Sequence, residues 1–203
     1  MINNPIIQSI FCTPIYINYM NRDFSKKEIA SINNLKKETV TNHSNTYTKD
    51  GYILNKPVFK NIKKYIEECC KDYLEKIISP ADLVKLEVTQ SWLNYSDKNQ
   101  YHQEHSHSNS LVSGVLYVNV HEENDSVDFL DSPYSAISPN IKNFNVWNSK
   151  LWTVPVKRGM IIMFPSSINH RVKVNEQDYT RISLAFNTFL RGSLGQGLGK
   201  LKI

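Results

Sequence analysis
The chain has 203 residues, 40% of them hydrophobic and 21% charged, with a formal net charge of +5. That length suits one domain with a real core, and the composition excludes wholesale disorder. The lysines are scattered among Asp and Glu, so they read as a solvated surface; the charge leaves nucleic acid open as a partner without pointing to it. Three cysteines, with Cys69 and Cys70 adjacent, exclude a disulfide framework and supply no CxxC pair. A reducing cytoplasm is the expected setting. The first residues lack the basic and apolar regions of a signal peptide, and no run reaches the roughly 18 apolar residues of a spanning helix.

In chain order, "IIQSIFCTPIYINY" (residues 6–19) reads as a strand broken near Pro14. Ser25 and Glu28 have capping-box spacing and open a helix to about Lys37. Residues 39–55 are polar and read as a loop. Pro57 starts a second helix, in which Val58, Ile62, Tyr65, Ile66, Cys69, Tyr73 and Ile77 recur at three- and four-residue spacing, and which stops at Ser79-Pro80. Cys69 and Cys70 read as packing residues of that helix.

From about Leu86 the pattern changes to short β-type runs: "LEVTQSWLNY", "SLVSGVLYVNV", "SVDFL", "KLWTVPV", "MIIMF", "HRVKV" and "TRISLAFNTFL". Turn signals such as "SDKN", "EEND", "DSPYS" and "NEQD" separate them. Many closely spaced short strands imply an all-β sandwich or barrel, with the two helices on one outer face. The chain therefore reads as a single domain: an N-terminal strand and helices over 1–84, a β core over 85–190, and a loosely docked, glycine-rich tail over 191–203.

The segment "QYHQEHSHSN" (residues 100–109) holds three of the six histidines. In a regular strand side chains alternate faces, so His105, His107 and Asn109 share one face while His102 and Glu104 share the other. Either pair can chelate a metal, and regular alternation makes the two exclusive. A third ligand must come from elsewhere, and His170 in "FPSSINHRV" is the best candidate. Such a set on a β scaffold matches a non-haem Fe(II) site with open positions.

Downstream, Arg181, Ser183, Ala185 and Asn187 alternate with Ile182, Leu184 and Phe186. One face is polar and the other apolar. If "NEQDY" folds this strand back as a hairpin on the one starting at His170, Arg181 lies two to four residues along, roughly 7 to 13 Å from the metal at about 3.3 Å per residue. A five-carbon dicarboxylate bound to the metal at one end has its far carboxylate in that range. Arg suits it through a bidentate, permanently charged fork.

These features together resemble the Fe(II)/2-oxoglutarate-dependent oxygenase superfamily, and in particular a group of oxygenases found in bacteria and phages. The elements carrying the resemblance are "FCTPI", "SWLN" (91–94), "HSHSNSLVSGVLYV" (105–118), "MFPSSINHRVKVN" and "RISLAFN" (181–187). The resemblance implies a mainly β, double-stranded β-helix fold (a jelly-roll or cupin-like barrel). It implies Fe(II) held by His105, His107 and His170, with His107 where most of the superfamily has Asp or Glu. It further implies 2-oxoglutarate held by Arg181 and Ser183, with Tyr117 and Asn94 within reach, and oxygen as the second cosubstrate. The implied activity is a dioxygenase of hydroxylase type with an unidentified primary substrate. The alternatives are a cupin-like three-His metalloenzyme that does not use 2-oxoglutarate, and a non-enzymatic β-sandwich binding protein.

Overall fold
The computed structural model describes residues 6–42, 44–131 and 139–203. Of the "DSPYS" turn signal, residues 132–135 lie outside the described residues. Helix α1 (Lys26–Leu35) starts where the sequence places it. The Ser25 side chain accepts from the Glu28 N–H at 3.2 Å, and the Ser25 N–H donates back to the Glu28 carboxylate at 2.7 Å. Helix α2 (Lys60–Tyr73) is preceded by a 3-10 turn beginning at Pro57 and followed by a π turn over Leu74–Ile78. It stops at Ser79, whose φ of 47° lies in the left-handed region that a helix cannot continue through. Ile62, Ile66, Cys69, Cys70 and Tyr73 all face inward and are buried, so both cysteines are packing residues.

The strands form two antiparallel sheets. The larger contains β1 (Tyr16–Tyr19), β9 (Met160–Pro165), β6 (Val112–Asn119), β11 (Arg181–Leu194), β4 (Val84–Ser96), β3 (Thr46–Thr48) and β2 (Thr39–Thr41), in that order, with β12 (Leu201–Lys202) paired to the far end of β11. The smaller runs β5 (His102–His105), β10 (Asn169–Val172), β7 (Ser126–Leu130), β8 (Leu151–Pro155). Alternation divides the larger sheet's residues between two cores. Leu93, Tyr95, Leu116, Ile161, Leu184 and Phe186 pack outward against the helices. Tyr117, Met160, Ile162 and Phe164 pack inward against Val127, Phe129 and Val154 of the smaller sheet. Two facing antiparallel sheets with helices outside make a double-stranded β-helix, as expected. Among the described residues no helix is long and apolar enough to cross a membrane.

Four local expectations need correction. Only Tyr16–Tyr19 of the first apolar run is a strand; residues 6–12 are exposed. Residues 39–55 are not simply a loop, because β2 and β3 pair there as a hairpin and extend the larger sheet. The glycine-rich end is paired rather than loose: β11 continues to Leu194 and β12 folds back on Ser193 and Leu194. Finally, β10 and β11 form no hairpin. β10 pairs with β5 and β7, whereas β11 pairs with β4 and β6 in the opposite sheet. The residues between them cross from one sheet to the other, which a local turn signal does not reveal.

Candidate metal centre
His170, in the middle of β10, is directly opposite His105, the last residue of β5. β5 ends there, so His107 is reached by the following turn rather than by the strand. That turn is pinned by backbone bonds: the His107 N–H donates to the Ser166 carbonyl, and the Ser166 N–H to the Leu111 carbonyl. Asn109 adopts a left-handed φ of 56° in the same turn and does not continue the His105 face. Ser166, Ser113 and Asn187 are buried, and the Ser113 hydroxyl lies 2.8 Å from that of Ser166 and donates to Asn187 at 2.9 Å. This polar ladder fixes the backbone that presents His107.

The result is one cluster. A ligand atom from each of His105, His107 and His170 lies within 4.8 Å of the others. The ring centroids are 5.0 Å apart for His105 and His107, 5.1 Å for His107 and His170, and 4.2 Å for His105 and His170. The Nδ1 atoms of His105 and His170 lie 2.8 Å from the Gln103 carbonyl and 3.2 Å from the Ile168 carbonyl. A carbonyl can only accept, so each Nδ1 carries the proton and each Nε2 presents a lone pair, the arrangement found around metal-binding histidines. Burial lowers the pKa of all four imidazoles in this region, and neighbouring rings lower three of them further: His170 to about 3, His107 to about 4 and His102 to about 3. Neutral imidazoles are the form that binds a metal. Phe164 and Phe129 wall His170 on its apolar side, with ring centroids 4.7 and 6.3 Å away. Three neutral imidazoles, two of them oriented through Nδ1, fit a divalent first-row metal such as iron.

The competing pair is split. β5 bulges, with His105 opposite His170 but His102 opposite Val172, so three residues of β5 span two of β10. The bulge breaks alternation and stacks His102 on His105, at 4.2 Å and 17°. Glu104 is exposed and, among the described residues, accepts a hydrogen bond only from exposed Asn169, at 3.3 Å. Strict alternation therefore misplaced His102.

The other expected residues lie on the inner face of the larger sheet. In register across it run Tyr47, Asn94, Ser183 and Tyr117, and one pair along, Ser96 beside Arg181. Asn94 and Tyr117 are buried and Ser183 is half-buried. Arg181 is buried and already charge-paired. Its Nη1 donates to Asp125 at 2.9 Å and its Nη2 to the Lys173 carbonyl at 3.1 Å. Asp125, read in sequence only as part of a turn, also accepts from the Tyr179 hydroxyl and from the His121 N–H. A cleft of about 600 Å³ beside the cluster is lined by His102, Asp125, Arg171 and Asn175 among others.

Residues 90–187 match a family model described as "Putative 2OG-Fe(II) oxygenase". No curated protein matches the chain in sequence. Among solved structures, a 2OG-Fe(II) oxygenase-family oxidoreductase from Burkholderia pseudomallei superposes with a TM-score of 0.57 at 12% identity, covering 86% of this chain and 83% of that one. HygX from Streptomyces hygroscopicus, solved with nickel, 2-oxoglutarate and hygromycin B, gives 0.57 at 13% identity over 87% and 82%. A prolyl-4-hydroxylase from Pseudomonas putida gives 0.55 at 10% identity over 87% and 94%. At such identities these likenesses speak for the fold. The family match spans all three clustered histidines and Arg181. In sequence over residues 90–187 and in fold over most of its length, the chain resembles the 2OG-Fe(II) oxygenase superfamily.

Proposed function
We propose that the protein is an Fe(II)/2-oxoglutarate-dependent dioxygenase that oxidises an unidentified substrate in hydroxylase fashion. The observation that carries this reading is the convergence of His105, His107 and His170, two of them with Nδ1 held by backbone carbonyls. Those three imidazoles would hold the iron through nitrogen atoms. When bound, iron supplies the oxygen-activating chemistry, coupled to decarboxylation of 2-oxoglutarate. The chain's own contribution is to bind and orient. Arg181 still has N–H groups beyond those given to Asp125 and Lys173, and these are its means of taking the far carboxylate. Ser183 lends a hydroxyl, and Tyr117 and Asn94 frame the same face. Burial holds the Tyr117 phenol protonated, so it can donate a hydrogen bond. Phe129, Phe164 and Ile162 keep water from the apolar side. A setting in the cytoplasm, a single working domain and oxygen as cosubstrate belong to the same proposal; nucleic acid stays open as a substrate class.

One observation favours a second reading, a three-His metalloenzyme without 2-oxoglutarate. Asp125 already neutralises Arg181, which weakens its pull on a carboxylate. Equilibrium binding of Fe(II) tests the ligand set. His107→Ala loses iron and Glu104→Ala keeps it; the reverse outcome would overturn the triad. Catalytic consumption of 2-oxoglutarate by the wild-type iron protein separates the two enzyme readings, since only the first predicts it.

A further inference from the structure
Among the described residues four imidazoles lie in this region, and the metal triad uses three. We propose that His102 is a cosubstrate-contacting residue, set between the triad and Arg181, that donates a hydrogen bond to a carboxylate oxygen of the bound dicarboxylate. The inference rests on the 2-oxoglutarate reading and names a contact within that site.

The β5 bulge turns His102 inward and stacks it on His105. It nevertheless lies outside the group of three whose ligand atoms converge. It is thus next to the metal position without being at it. His102 pairs with Val172 of β10, and Arg181 Nη2 donates to the carbonyl of the next residue, Lys173. The strand pair that carries His105 and His170 thus also carries His102 toward the Arg181 anchor. His102 also borders the cleft that opens beside Asp125, so a ligand entering there passes it.

His105 and His170 each give Nδ1 to a carbonyl, whereas among the described residues no hydrogen bond engages either ring nitrogen of His102. A neutral imidazole has one N–H to donate. Charge supplies the reason such a donor is useful here. Asp125 takes up much of the Arg181 charge, so a dianion meets a weaker anchor than an unpaired guanidinium would give. A hydrogen bond to a charged acceptor is among the stronger kinds, and His102 offers one without adding a fixed charge.

The test is an anaerobic titration of the Fe(II)-loaded protein with 2-oxoglutarate, read by the visible metal-to-ligand charge-transfer band. Wild type, His102→Ala and His102→Phe are compared; the phenylalanine keeps a ring against His105 but has no N–H. Iron affinity is measured separately for each. Both variants should keep iron and bind 2-oxoglutarate about 10- to 100-fold more weakly, the scale of one hydrogen bond to a charged group. If His102→Phe binds 2-oxoglutarate as tightly as wild type, the inference is overturned while the parent reading stands. If either variant fails to hold iron, His102 is a metal ligand and the assignment is likewise overturned. If iron-loaded wild type gives no band, the parent reading falls and this one with it.

Discussion
Gly114→Ala tests the packing that holds the inner face in place. Gly114 lies in the middle of β6, paired on one side with Phe186 of β11 and on the other with Met163 of β9. A Cβ built there would sit 2.7 and 2.8 Å from two ring carbons of Phe186, and closer still to a third. Phe186 is fully buried against the helices, so the ring has nowhere to go. Forcing a methyl into such a contact belongs in the upper part of the overpacking range, about 2–3 kcal/mol. Gly→Ala in a strand returns about 0.5–1 kcal/mol through lower chain entropy. The net loss is about 1–2.5 kcal/mol, or roughly 2–10 °C in Tm for a domain of this size. Denaturant unfolding of the metal-free protein measures it. In a Phe186→Leu background the same substitution should cost nothing or stabilise. An equal loss in both backgrounds, or a gain in the wild-type background, would refute the reasoning.

Asp125→Asn leaves Arg181 as an uncompensated buried cation, so the ligand-free protein should lose about 3–5 kcal/mol. A bound dicarboxylate should then restore more stability than it gives wild type, and equal thermal shifts with 2-oxoglutarate would contradict that. Ser25→Ala removes the cap of α1 and should cost about 1 kcal/mol in denaturant unfolding. Glu28→Gln probes the same cap by pH. Burial alone would raise the Glu28 pKa, but the Arg22 guanidinium and the Ser25 N–H and hydroxyl outweigh it and hold the carboxyl below its ordinary value. A carboxylate depressed in the folded state stabilises above its unfolded pKa of about 4.3 and loses that contribution as pH falls through the folded value. The Glu28→Gln penalty should therefore be present at neutral pH and fade below that range; a penalty independent of pH would contradict it.

The parts of the site legible in sequence were those set by short-range periodicity. The alternation of Arg181 and Ser183 with Ile182 and Leu184 does separate the inner face from the helix-packed face. The capping box and the apolar stripe of α2 likewise lie where local spacing puts them. What escaped was set by partners distant in sequence. The bulge that brings His102 beside His105 exists only because β10 pairs with β5. Asp125 sits in a turn signal, and its role comes from Arg181, 56 residues away. The strand pair β2 and β3 was missed because three residues each, rich in threonine, show too little pattern within a polar stretch. The supposed hairpin of β10 and β11 failed because a short polar connection fits a crossover between sheets as well as a turn.

The most direct measurement of the central claim is visible absorption of the protein with Fe(II), without oxygen, on adding 2-oxoglutarate. Chelation of the keto acid by iron at His105, His107 and His170 predicts a charge-transfer band that saturates at one 2-oxoglutarate per chain and is lost in His105→Ala. A folded, iron-loaded protein that shows no band would contradict the account.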